Sequence, residues 1–119
     1  MAKGYLNNDM GEVEISSDVV ASYAGACALE CFGVVGMAAK SVTDGVMHLL
    51  KKDSLRKGID VTVVDNKLFI EFHIIVAYGL NIVSITQNLV ENVKYKVEQF
   101  TGIPVEKISV LVEGVRVID

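Results

Sequence analysis

Few residues in this chain could carry chemistry, and their spacing argues against it. Cys27 and Cys31 lie four apart, so a helix would set both thiols on one face. Redox dithiol motifs use two intervening residues, and finger-type zinc ligands come with a second matched pair. Neither pattern is present, and His48 and His73, the only histidines, repeat no ligand spacing. The two cysteines therefore read as small buried hydrophobes. Gly33, Val34, Val35 and Gly36 spell GxxG, the loop with which KH domains clamp a nucleic-acid backbone. That clamp calls for polar or basic middle residues, and two valines would set apolar surface against phosphates. These residues give no catalytic group, no metal site and no cofactor, and nucleic acid is not expected as a partner. The alternative is an RNA-binding module that combines the Gly33–Gly36 turn with the basic residues Lys51, Lys52, Arg56 and Lys57.

The totals set the frame in which these residues sit. With 119 residues, 51% of them hydrophobic, and a formal net charge of -4, the chain fits one domain with one core. A mean hydropathy of +0.43 excludes the disordered class. It also leaves an apolar excess, which points to an exposed patch of the kind that marks association surfaces. From Val19 to Ala39 the only charge is Glu30, a length near that of a membrane span. Composition rules the span out. A central carboxylate costs about 2.5–3.5 kcal/mol on insertion scales, and the many Ala, Gly, Ser and Cys residues offset little of it. The acidic start lacks the apolar run of an export signal, and two cysteines make no disulfide framework, so a cytoplasmic location is expected.

The elements that must position these residues follow from periodicity. "GEVEIS" alternates Val13 and Ile15 with Glu12 and Glu14, a strand with one solvated face. A helix begins after Ser16, Ser17 and Asp18 and lines up Val20, Tyr23, Ala24, Cys27 and Cys31, with Gly33 as its stop. Asp44 then caps a short helix carrying Val46, Leu49 and Leu50. If Asp65 and Asn66 form a two-residue turn, Val63 faces Leu68, Val61 faces Ile70 and Ile59 faces Phe72, which puts every apolar partner on one face. A long helix follows, with Ile82, Ile85, Leu89, Val93, Val97 and Phe100 on one stripe, and Gly102 and Pro104 end it. In the last strand the alternation of Ile108, Val110 and Val112 changes phase at Gly114, the mark of a β-bulge. The expectation is an α+β domain over 11–119, preceded by a loose tail over 1–10. Its order is strand, helix, short helix, two strands, helix, strand, with two main helices on one face of a small mixed or antiparallel sheet.

With these elements placed, the chain resembles the alkaline shock protein family, small bacterial proteins linked to envelope stress. The resemblance rests on "GEVEIS" leading a small-residue helix into "GVVGMA", on "IIVAYGLNI", and on "TGIPVEKISVLVEGV". It is strongest to short members that lack long charged extensions. It implies a non-catalytic protein that self-associates and serves envelope or lipid homeostasis. It further implies membrane proximity through a partner, either a membrane-associated protein or a dihydroxyacetone-kinase-like fatty-acid kinase. The positions that match the pattern are Gly33, Val34, Gly36 and Met37, then Tyr78 and Gly79, then Gly102.

Two surfaces stand out as candidates for function. The outward parity of the hairpin and last strand carries Thr62, Val64, Phe69, Glu71, His73, Ile75 and Leu111, less polar than a free sheet face should be, and is a candidate self-association face. Between Lys40 and Lys57 five bases meet two acids, so Lys51, Lys52, Arg56 and Lys57 form a candidate patch for an anionic partner.

Overall fold

A computed structural model of the chain describes residues 3–8, 11–38 and 58–117. In chain order the elements are β1 (Lys3–Asn8), β2 (Gly11–Ser16), α1 (Ser17–Leu29), β3 (Val34–Met37), β4 (Ile59–Val64), β5 (Lys67–Ala77), α2 (Ile82–Thr101) and β6 (Val105–Arg116). The fold is α+β, as expected. The short helix read from Asp44 onward lies outside the described residues, as do Lys51, Lys52, Arg56 and Lys57.

The sheet is built on β5. β6 runs parallel to it along one edge, while β4 and β3 share the other edge antiparallel, β4 against Lys67–Phe72 and β3 against Ile74–Val76. The β4–β5 turn has both Asp65 (φ 52°) and Asn66 (φ 57°) in the left-handed region, the geometry whose twist matches a two-residue hairpin. Its register pairs Val63 with Leu68, Val61 with Ile70 and Ile59 with Phe72, as alternation requires. Along β6, Val112 pairs with Ile74 and Gly114 with Ile75, so Glu113 is the extra residue of the bulge.

Both helices cover the face that carries Leu68, Ile70, Phe72, Ile74 and Val76, all buried. From α1 come Val20, Ala24, Cys27 and Ala28, and from α2 Ile85, Leu89, Val93 and Val97. Ser16 caps α1, its Oγ accepting from the Asp18 amide at 3.2 Å, and Asn81 Oδ1 caps α2 by accepting from the Ser84 amide at 3.0 Å. Gly102, at φ 73°, closes α2 in the left-handed conformation. The rings of Tyr23 and Phe100 stack at 4.2 Å where the helices meet, and Lys96 Nζ reaches Glu30 Oε2 at 3.1 Å.

Three expectations need correction. The first ten residues, expected as a loose tail, contain β1, which pairs antiparallel with β2 from Lys3–Ser16 to Asn8–Gly11. "VVGM", expected as part of a turn, is strand β3: a short apolar run between glycines reads equally as helix end or strand until a partner is known. Ile82 and Phe100, placed on the stripe of α2, lie at its two ends and are both about half exposed, Phe100 stacking on Tyr23.

Gly33 sits where the structure tolerates nothing larger. Its φ is +82°, and a Cβ there would lie 2.5 Å from Ile85 Cδ1 on α2. Gly33→Ala combines a left-handed penalty with a clash against a buried side chain, so it should lower stability by about 2–4 kcal/mol. Urea unfolding followed by circular dichroism measures this, and an unchanged midpoint would show that Ile85 and the turn relax freely.

Candidate interaction surfaces

The family-pattern positions fall at two places. Gly33 O accepts from the Ala77 amide at 2.9 Å, Val34 pairs with Val76, and Ile85 packs on Gly33. Gly33, Val34, Gly36, Met37, Tyr78 and Gly79 thus share one end of the sheet, with Gly36 and Met37 buried. Gly102 lies at the far end of α2. Because Val34 and Gly36 pair with β5, GxxG is a strand here and not the loop read from the sequence.

That same end gathers exposed apolar side chains from distant parts of the sequence. Phe32 comes from the α1–β3 turn, Tyr78 and Leu80 from the β5–α2 junction, and Val83 from the first turn of α2. All are exposed, Tyr78 to 72%. The Tyr78 amide donates to Arg116 O at 2.8 Å, which brings the end of β6 and the exposed Val117 to the same place. Phe32, Leu80, Val83 and Val117 are absent from the sequence-based candidates. Their signal was their unexplained apolarity beside turn residues, but no periodicity joins segments so far apart in the chain.

The outward sheet face is only partly open. Ile75 and His73 of the candidate self-association set are buried, at 1% and 8% exposure, whereas Thr62, Val64 and Leu111 are exposed and Phe69 and Glu71 half-buried. A cavity of about 380 Å³ lies on this face, lined by residues that include Asp60, Thr62, Phe69, Glu71 and Lys107. Asp60, Glu71 and His73 have ligand atoms within 4.8 Å of one another, the closest approach to a metal donor set among the described residues. His73 Nε2 and Glu71 Oε2 lie 3.2 Å apart within this group. Nδ1, 3.6 Å from Glu113 Oε1, points toward β6.

A second cavity, of about 650 Å³, opens between α2 and β6 on the helix-covered face. Ile82, Thr86, Gln87, Val90 and Glu91 line it from the helix, and Ile108, Val110 and Val112 from the strand. It runs where α2 packs on β6, whose Ile108, Val110 and Val112 stay half-buried.

These features describe an α+β domain: a small sheet under two helices, with exposed apolar side chains at one end and a groove beside β6. A family model covers residues 5–117, that of the alkaline shock protein 23 family, described as having a cell envelope-related function. An uncharacterized protein of Bacillus subtilis (strain 168), YloU, is 37% identical over 113 residues, which cover 94% of each chain. Spy1614, an uncharacterized protein of Streptococcus pyogenes serotype M6, is 34% identical over 114 residues, 95% of this chain and 94% of that one. A second Bacillus subtilis protein, YqhY, is 27% identical over 107 residues, covering 90% of this chain and 78% of its own. No solved structure matches. The chain belongs to the alkaline shock protein family. Among the described residues no helix is long and apolar enough to cross a membrane.

Both thiols are buried, and burial pushes each above the ordinary cysteine range. A raised pKa leaves less thiolate at any given pH, so alkylation of the native protein at mildly alkaline pH should run well below the rate of an exposed cysteine. It should rise to that rate on unfolding. Replacing both by Ala should cost about 1–3 kcal/mol through lost volume. Mass spectrometry of timed labelling checks the first expectation, and fast labelling of the folded chain would refute it.

Proposed function

We propose that this chain is a non-catalytic interaction module that self-associates and serves the envelope stress response or lipid homeostasis through a protein partner. In this reading it works in the cytoplasm and is held beside the membrane by that partner. The observation that carries the reading is the apolar end formed by Phe32, Tyr78, Leu80, Val83 and Val117. Large apolar side chains gathered at one place on a small domain mark a surface that is covered in use. The chemistry supports the same side. The thiols are buried, which favours their protonated form, and His73 is flanked by carboxylates at both ring nitrogens.

The test is genetic and structural together. Tyr78→Asp/Val83→Asp should leave the fold intact, because both side chains are exposed, and circular dichroism verifies that. In cells lacking the native protein, the wild-type chain should restore tolerance to envelope stress and the folded double variant should not. Equal rescue by the double variant would remove the apolar end from function.

A further inference from the structure

We propose that two copies of this chain pair through the open edge of β6, antiparallel, with Val110 on the two-fold axis. The proposal rests on the self-association reading above and names its surface. β5 occupies one edge of β6 from Val105 to Arg116, and among the described residues no strand pairs with the other edge. Such an edge offers a row of backbone donors and acceptors to any matching strand. Natural edges are shortened, covered or charged, and β6 is twelve residues long with no charge from Ile108 to Val112.

The groove lies along the same edge. Ile108, Val110 and Val112 are half-buried under a cavity of about 650 Å³, with Ile82 and Val90 on its helix wall. A strand pair alone is marginal in water, and apolar surface beside it supplies what backbone pairing lacks.

The occupant is fixed by self-complementarity. One edge meets its own copy only antiparallel, about a two-fold normal to the sheet, and this keeps the helices of both copies on the same side. With Val110 opposite itself, Ile108 faces Val112 of the partner subunit, and the two grooves become one channel with an apolar floor and a mixed helix wall that includes Gln87 and Glu91. On the other face Lys107 stands opposite Glu113 of the partner subunit, and by symmetry this pair occurs twice. With the helices kept on one side the register can slip only in steps of two, and such a slip would set Lys107 opposite Leu111 or Val115 of the partner subunit and separate the charges. The register also ends at the Glu113–Gly114 bulge, where regular pairing stops. A strand from a different protein could use the same edge, but it would have no reason to match this charge order.

Sedimentation of the full chain over a wide concentration range, with hydrogen exchange on the same samples, tests the proposal. The wild type should be a dimer, and amides on the open edge of β6 should gain protection as concentration rises. Lys107→Glu should weaken the dimer about tenfold by setting like charges opposite each other twice. Lys107→Glu/Glu113→Lys should restore it, and melting curves confirm that each variant is folded. A wild type that is monomeric throughout would overturn both this surface and the self-association reading. A dimer that ignores Lys107→Glu and leaves the β6 amides unprotected would overturn the surface alone.

Discussion

The pairing of β5 along both edges is the constraint on which the rest of this molecule depends. Its eleven residues are buried on one face throughout and on both faces from Phe72 to Val76. A strand in that position must satisfy every backbone group through its neighbours, because water cannot reach it. β6 does so along one side. On the other side the work is divided, and β4 hands over to β3 around His73, whose carbonyl accepts from the Ala38 amide at 2.9 Å. At this seam His73 and Ile75 are buried on the outward face, whereas Phe69 further along β5 is half-buried.

The features legible in the sequence were those set by neighbours close in the chain. Asp65 and Asn66 announce a turn whose length fixes the β4–β5 register, because only an even loop keeps Ile59, Val61 and Val63 on the face of Leu68, Ile70 and Phe72. Ser16 and Gly102 mark helix ends by their local hydrogen bonding and φ, and the phase change at Gly114 marks a bulge within one strand. β3 was not legible. Its four residues become a strand only through Ile74–Val76, some forty positions later, and before that partner is known Gly33 and Gly36 read as turn glycines. β1 has the same history, since nothing in its sequence forces it onto β2. The apolar end was hidden for a related reason: Phe32, Tyr78 and Val117 are neighbours only because β5 brings Gly33 and Arg116 to its own end.

The family-pattern glycines and the exposed apolar residues beside them have different roles. Gly33 lets α2 approach the α1–β3 turn until Ile85 fills the space where a Cβ would be, so it is a packing position. Gly79 meets nothing within 4 Å and takes φ +90°, so it serves the reversal from β5 into α2. Tyr78 between them is different. Its amide is held by Arg116 while its side chain is exposed, so the fold fixes its place without using its ring. A side chain that is positioned but not packed is available to a partner. That distinction separates Tyr78, positioned but exposed, from the glycines that frame it.

The two surfaces then have a geometric relation that bears on function. The apolar end lies where β5 and β6 finish, whereas the proposed two-fold passes through Val110 near the middle of β6. Antiparallel pairing sends the ends of the two β6 strands in opposite directions, so a paired molecule would carry its apolar ends at opposite poles with neither blocked by the contact. Two sites on one rigid sheet let a second contact form at high effective concentration once the first is made, and binding strengthens without new contacts at either site. Modest affinity at each apolar end would then suffice to hold the pair against a surface that displays many copies of a partner. A monomer with the same end would dissociate between encounters. Under the proposed pairing, the edge of β6 and the exposed Tyr78 would be parts of one arrangement, in which pairing multiplies what a single small apolar patch can do.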